Sequence, residues 1–425
     1  MTSDFKNLIN SESKIFISLM LLVCFLPSIL MTGSAILNIL CLLIGVIFLS
    51  ELTIKKKISF IIKDDLFIII FLFWLTLIIN LFFSIDFANS FSRSFGFLRF
   101  IILVFAIKYV ITYKKFAYKD FIFKIWLLIF LIISLDLFFE IVNGHNILGY
   151  SNNFPGRLSG FLNDELKIGN YYSGFVLLAI CGVLNFKKNL TITLLVMIIF
   201  LIISLYIGER SNFIKTLIIS FLFIFLLNKE DLLKKIVFIF SFLLISLTII
   251  LNNDSYKNRF FEQLVHVKYA GKQHNFIAKI KQYSSESHYY NHYFAAFEIW
   301  KSNKYFGIGL KNFRNESSKA KYQIQNSENP GLAWATHPHQ IHFEFLAETG
   351  LFGYMSFLIF FLIILIKNIK SFNNKKNQYQ LAGMLFILAS LIPVMPSGSF
   401  FTSYSATIFW INFAVMSSFS ERRKS

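Results

Sequence analysis

The chain reads as an all-α polytopic membrane protein of about twelve transmembrane helices, with one large, partly helical loop before the tenth. Three observations predict this. Of the 425 residues, 56% are hydrophobic and only 15% charged, and the mean hydropathy is +0.62. Apolar runs of about 17–23 residues, the length that crosses a bilayer core, recur along the chain. Lysine-rich and lysine-poor connections alternate between those runs.

In order, the runs cover 15–31, 34–52, 66–84, 95–112, 122–142, 170–186, 189–207, 211–227, 233–251, 345–367, 379–396 and 403–418. No short charged-then-apolar segment with a small-residue cleavage site precedes them, so the first run is expected to remain as an anchor. Cys24, Cys41 and Cys181 all fall inside runs, which argues against structural disulfides and against a cysteine metal site. A net charge of +18 would suit a nucleic-acid partner, but its distribution is that of membrane topology. Lysines crowd alternate short connections (Lys55–Lys57 and Lys63; Lys114, Lys115, Lys119 and Lys124; Lys187 and Lys188; Lys229, Lys234 and Lys235; Lys367, Lys370, Lys375 and Lys376). Arg422, Arg423 and Lys424 follow the last run. The positive-inside rule then places both termini and the lysine-rich loops in the cytoplasm, and an even number of spans agrees. The expected division is helices one to nine over 1–251, an outward cap over 252–343, and the last three helices with a cytoplasmic tail over 344–425.

The outward segments are therefore 85–94, 143–169, 208–211, 397–402 and 252–343. The longest is aromatic and basic with few prolines, a composition that fits a folded cap better than a linker. Residues 289–300 follow a helical pattern, and Gly307 and Gly309 of the YFGIGLKNF stretch suit a tight turn. All eight histidines (His145, His266, His274, His288, His292, His337, His339 and His342) fall on this outward side. Arginine is scarce, eight against thirty-three lysines, yet Arg93, Arg157, Arg210, Arg259 and Arg314 face outward and Arg99 sits just inside the fourth run. Where lysine is the default cation, the planar arginine fork points to phosphate or carboxylate recognition. The alternative is that the positive-inside rule strips lysine from this side and leaves a few arginines. Arg99, Lys215, Asp136 and Glu140 lie within runs, where a charge is costly unless a cavity or partner receives it. Asp136 and Glu140 share a helix face, so they either pair with Arg99 or Lys215 or take part in chemistry.

The densest polar stretch is THPHQIHFEFLAETGLFG, residues 336–353. Pro338 biases His337 away from helix, so the tenth helix is expected to begin close to His339 or later. Glu344 and Glu348 share one face, and Gly350 and Gly353 permit another backbone to approach. Three readings compete. His339 and His342 at i, i+3 with Glu344 would be a metal site, but the spacing is not HExxH and no second ligand cluster supports it. Histidine is also the side chain best suited to accept a hydroxyl proton near neutral pH. In the third reading the polar residues simply mark a membrane boundary.

The order of these elements resembles the O-antigen ligase / Wzy-polymerase superfamily of bacterial, GT-C-like membrane glycosyltransferases. KYFGIGLKNF (304–313) is similar to that family's P-L-x-G-x-G-x-x-x-F turn, with Lys304 where proline is usual. HQIHFEFLAETGLFG (339–353) is similar to its H-[N/S]-x-x-L-E-x-L-x-E-x-G-x-x-G helix start, with Gln340 and Phe343 departing. GRLSGFLNDE (156–165) resembles the R-x-x-G-x-F loop, and GERSNFI (208–214) resembles the x-R-[S/G]-x-x-[L/I] helix start. Only the stretch from His339 to Gly353 is specific. Where the family often carries an arginine before the G-x-G turn, this chain has His288 and His292.

The resemblance implies transfer of a glycan from undecaprenyl diphosphate to an acceptor hydroxyl, such as lipid A–core or another glycan, on the periplasmic face of the bacterial inner membrane. It implies neither a nucleotide sugar, a cofactor nor a metal. On that reading His339 acts on the acceptor hydroxyl, with His337 in reserve and Glu344 either orienting the His339 ring or holding the cap to the membrane part. Arg210 and Arg157 meet the diphosphate, and Arg259, Arg314 and Arg99 support them. Glu348, His288 and Lys215 are further supporting candidates, and His342 has no role. Ligase, polymerase and protein-glycosylating transferase share these motifs. The rival class is a polysaccharide or lipid transporter, against which stand the lack of an internal repeat and the gathering of polar groups at one membrane face.

Overall fold

The computed structural model describes residues 11–151, 154–163, 165, 167–187, 189–227, 232–262, 288–323, 334–393 and 395–420. His266 and His274 of the expected cap lie outside the described residues. The described chain is helical and contains no strand. Its main helices are α1 (Lys14–Ile29), α2 (Ser34–Ile54), α3 (Asp65–Leu81), α4 (Phe87–Gly96), α5 (Leu98–Thr112), α6 (Lys119–Asn143) and α7 (Ile168–Lys187). They continue as α8 (Leu190–Ile207), α9 (Arg210–Leu227), α10 (Leu232–Leu251), α11 (His288–Ser302), α12 (Ile341–Lys375), α13 (Gln378–Ser390) and α14 (Ser403–Ser418). Among the described residues nine helical segments are long and apolar enough to cross a membrane, and α3 is a shorter apolar helix. At 13 and 16 residues, α13 and α14 stand at the last two predicted runs. The protein is an all-α multi-pass membrane protein.

The centre of the bundle is α14, which packs on α13 and α5, with α7 alongside α8 and α13. Trp410 is fully buried there among Phe97, Phe400, Phe409 and Phe413, with ring centroids 5.0–5.6 Å apart. At the edge, α10 exposes Leu233, Phe240 and Leu244, a surface that suits lipid tails. Cys24, Cys41 and Cys181 are buried free thiols.

Three departures from the sequence reading shape the end of the bundle that carries the lysine-poor connections. Residues 87–94 are not a loop: the Asp86 side chain accepts the Asn89 N–H (3.0 Å) and starts α4, which runs on toward α5. The eleventh run ends at Ser390 rather than 396, because Pro393 and Pro396 cannot continue a helix. The freed carbonyls are taken up by side chains: His342 Nε2 lies 2.8 Å from the Leu391 oxygen, and Lys215 Nζ donates to Pro396 (2.7 Å). Non-helical backbone at such depth is tolerated where protein or a cavity receives it.

The third departure concerns Asp136 and Glu140, which bond to the 143–169 connection rather than to Arg99 or Lys215. Asp136 accepts the Ile147 N–H at 3.0 Å. Glu140 accepts both the N–H and hydroxyl of Ser159 (2.8 and 2.9 Å) and the Gly160 N–H (2.8 Å). Backbone N–H groups satisfy a buried carboxylate at lower desolvation cost than a second buried charge. The pair thus clamps the 143–169 connection onto the end of α6.

Helix α12 begins at Ile341, where the Gln340 side chain accepts the Phe343 N–H (3.1 Å). It kinks at Gly350, whose φ of 63° lies in the left-handed region. The G-x-G turn fills the kink. Ile308 N–H donates to Ala347 (3.1 Å) and Gly309 N–H to Glu348 (2.8 Å), while Leu351 and Phe352 donate back to Lys304 (2.8 Å) and Tyr305 (3.0 Å). A Cβ on Gly307 would stand 2.6 Å from backbone atoms of Glu348 and Gly350, so two sequence-distant glycine motifs are halves of one joint.

Candidate functional site

At the end of the bundle bearing the lysine-poor connections lies a cavity of about 460 Å³. It is walled by Arg157 and Lys167, by Glu209 and Arg210 at the start of α9, by Arg259, by Tyr289 of α11, by His337 and His339, and by the 396–405 segment. Four cations face one carboxylate.

Local chain geometry explains why the arginines converge. Helix α8 ends at Gly208, φ 73°, and a Cβ there would run into the Gly156 carbonyl oxygen. The two segments therefore touch backbone to backbone, with Leu158 N–H donating to Ile207 (3.3 Å). Arg157, next to Gly156, reaches Glu209 (Nη2 to Oε1, 3.4 Å). Glu209 is itself fixed by the Gly169 N–H (2.9 Å) and Asn212 Nδ2 (2.6 Å). Burial pushes its carboxyl up, and Arg157 opposes that. Arg259 donates from Nε to the Gly208 carbonyl, and Arg210 Nη1 donates to the Arg259 carbonyl (3.2 Å). Burial, then Arg157 and Arg210, bring the Arg259 guanidinium down to about 10. Such crowding of like charge is what an anion relieves.

Opposite stand the histidines. His339 has a left-handed backbone, φ 56°, held by the Ser397 N–H on its carbonyl (2.7 Å). A non-glycine residue in that region carries strain and is a feature of functional sites. Its ring lies beside His337 (centroids 4.1 Å), His292 (5.3 Å) and Tyr289 (5.9 Å, edge-on). Burial, with His292 adding to it, lowers His339 to about 4. Burial, then His339 and His292, hold His337 well below its usual range. Both imidazoles are neutral at neutral pH and can accept a proton. His337 Nδ1 meets Thr336 Oγ1 (3.0 Å), while its Nε2 is buried with no hydrogen-bond partner among the described residues.

Other candidates stand elsewhere. Arg99 lines a different pocket with Arg93. Arg314 sits in the short helical turn Phe313–Glu316, its carbonyl accepting from Trp334 Nε1 (3.1 Å). Glu344 is not on the His339 ring: it accepts from the Ser399 hydroxyl and from the Phe400 N–H (2.8 Å), bracing the segment that walls the cavity. Glu348 accepts the Phe313 N–H (3.2 Å) at the glycine joint. His288 is the first residue of α11, and Lys215 is committed to the Pro396 carbonyl. Both ring nitrogens of His342 are committed, to Tyr354 Oη (3.1 Å) and to the Leu391 carbonyl. Among the described residues no group of three His, Cys, Asp or Glu side chains is arranged for a metal.

Residues 174–358 match the protein-family model described as O-antigen ligase. That match, over somewhat less than half of the chain, supports the O-antigen ligase / Wzy-type superfamily. No curated protein matches the chain. The match to the O-antigen ligase family runs from α7 into α12 and so spans Glu209, Arg210, Arg259, His337, His339 and the glycine joint. Arg157 and the 396–405 wall lie outside the matched stretch and join the site through folding. Within this cavity, sequence reasoning passed over Glu209, Tyr289 and the closeness of His292 to His339. Glu209 had one signal available, its place beside Arg210 in GERSNFI.

Proposed function

We propose that the chain transfers a glycan from an undecaprenyl-diphosphate carrier to an acceptor hydroxyl, that of lipid A–core, in the manner of an O-antigen ligase. The reaction takes place on the periplasmic face of the bacterial inner membrane, with both chain termini in the cytoplasm. One observation carries the reading: Arg157, Arg210 and Arg259 line the same cavity as His337 and His339. In the reaction the acceptor oxygen bonds to the sugar C1 as the bond from C1 to the diphosphate oxygen breaks. The acceptor proton passes to the neutral His339 imidazole, and the electron pair of the broken bond leaves on the diphosphate. The guanidinium groups stabilise the charge that grows there, which is where preorganised donors lower a barrier most. Arriving diphosphate also favours the imidazolium form, drawing His339 up from about 4 toward neutrality, where a general base works best. No step is assigned to a metal or cofactor. Glu344 serves by holding the cavity wall.

The test supplies purified lipid-diphosphate glycan and acceptor to the protein in detergent. His339→Ala and Arg210→Lys are each expected to lower transfer by about 10²-fold or more. Full transfer by both variants overturns the assignment. A chelator added to the same assay is expected to change nothing; loss of activity restored by zinc would revive a metal role. In a deletion strain, a ligase leaves lipid A–core bare while polymerised glycan accumulates on its carrier. Single-repeat caps would instead assign the chain as a polymerase.

A further inference from the structure

A second cavity, of about 190 Å³, lies behind the wall of the first. The end of the connection from α13 and the first residues of α14 separate them: Thr402 and Tyr404 face the large cavity, Phe401 and Ser403 the smaller one. Helix α2 does the same, with Ser34 in one and Asn38, a turn later, in the other. The smaller cavity is lined by Arg93 of α4, Arg99 of α5 and Lys311 of the G-x-G stretch, and by no acidic residue.

Each cation is aimed by structure that does not neutralise it. Arg93 donates to the Phe401 carbonyl, and Arg99 Nη2 lies 3.3 Å from Ser403 Oγ. The Arg99 guanidinium rests on the Phe100 ring at 4.6 Å. Its Nε is buried and has no hydrogen-bond partner among the described residues. Lys311 is held at φ 70°. Glu344 and Glu348 attract Arg93 from behind, but their carboxylates are taken by Ser399, Phe400 and Phe313. Helix α14 starts with no side-chain cap at Ser403, which lines this cavity, so its positive dipole end stands at the cavity's edge. Three cations, an orphan guanidinium donor and an open helix N-terminus at the membrane boundary are complementary to a phosphate group.

We propose that Arg93, Arg99 and Lys311 form a second anion site, distinct from the transfer cavity, that takes the phosphate of a membrane lipid. The lipid is either a bilayer phospholipid or a phosphorylated acceptor lipid. The site rests on binding geometry and does not depend on the transfer reading.

The test uses the full-length protein in detergent and native mass spectrometry, with phosphatidylglycerol, lipid A and diacylglycerol as probes. Two variants are compared with wild type. Lys311→Gln removes one cation. Ser403→Asp puts a carboxylate beside Arg99 at the first position of α14, where an acidic residue favours the helix, so folding is retained. Wild type is expected to retain the phosphorylated lipids and not diacylglycerol, and both variants to lose about tenfold or more of that retention. The thermal midpoint of Ser403→Asp is expected to equal or exceed that of wild type. Retention of phosphatidylglycerol assigns a bilayer lipid, and retention of lipid A alone assigns the acceptor. Equal retention by wild type and both variants, or retention of diacylglycerol as strong as that of the phosphorylated lipids, overturns the site.

Discussion

Gly208→Ala isolates the contact that gathers the arginines. Gly208 has φ 73°, and its added Cβ would overlap the Gly156 oxygen, with the Gly156 carbonyl carbon at 3.0 Å and Arg157 Cα at 3.3 Å. Relief to an ordinary carbon–oxygen contact requires the two segments to part by on the order of 1 Å. Arg157 rides on one segment, and Arg259 is bonded to the Gly208 carbonyl on the other, so both guanidiniums move. A displacement of that size at a reacting centre costs about 10²-fold, or about 2.7 kcal/mol in the barrier. Left-handed backbone alone costs an alanine about 1 kcal/mol of stability. Gly144→Ala is the matched control: its φ is 78°, yet nothing lies within 4 Å of the added Cβ. The assay is transfer from the lipid-diphosphate donor, with thermal midpoints measured for both variants. Both should lose similar stability, and only Gly208→Ala should lose activity. If the two variants keep activities within about twofold of each other, the backbone contact does not position the arginines.

The pH profile reports on His339. On the proposed mechanism its neutral form accepts the proton, so protonation as pH falls stops the reaction; with the free protein holding it near 4, kcat/KM should stay level from pH 7 to about 5 and fall only below that. An acid limb centred near 6.5, the ordinary histidine value, contradicts a buried His339 base. Glu348→Ala leaves the buried Phe313 N–H without its acceptor and should destabilise the protein by about 1–3 kcal/mol, seen as a lowered thermal midpoint in detergent. Glu348→Gln, which keeps an acceptor oxygen, should recover most of that loss; no difference between the two variants would show that the bond is not structural.

The helices were legible because a bilayer imposes one length and one polarity on every segment that crosses it, and propensity hardly matters. Boundaries were less so. Asp86 extends a helix backward through a side-chain cap, and Pro393 with Pro396 ends another early, both local events that average hydropathy blurs. The chemistry-bearing residue types were legible too: scarce arginines and clustered histidines stand out against an apolar, lysine-dominated chain. Their grouping was not. Arg259 and Arg99 were both only supporting candidates in sequence, yet one shares the cavity of Arg157 and the other stands behind its wall.

The sequence by itself determined the membrane class, the order of its apolar segments, and which residues were rare enough to matter. Only the tertiary structure decided which of them meet. That depends on backbone contacts between glycines far apart in the chain, Gly156 against Gly208 and Gly307 against Gly350. It depends equally on buried carboxylates such as Asp136 and Glu140, whose partners are loop N–H groups rather than the Arg99 or Lys215 that their charge suggested. A carboxylate away from water is satisfied by whichever donor the fold brings nearest, and no single stretch of sequence names that donor.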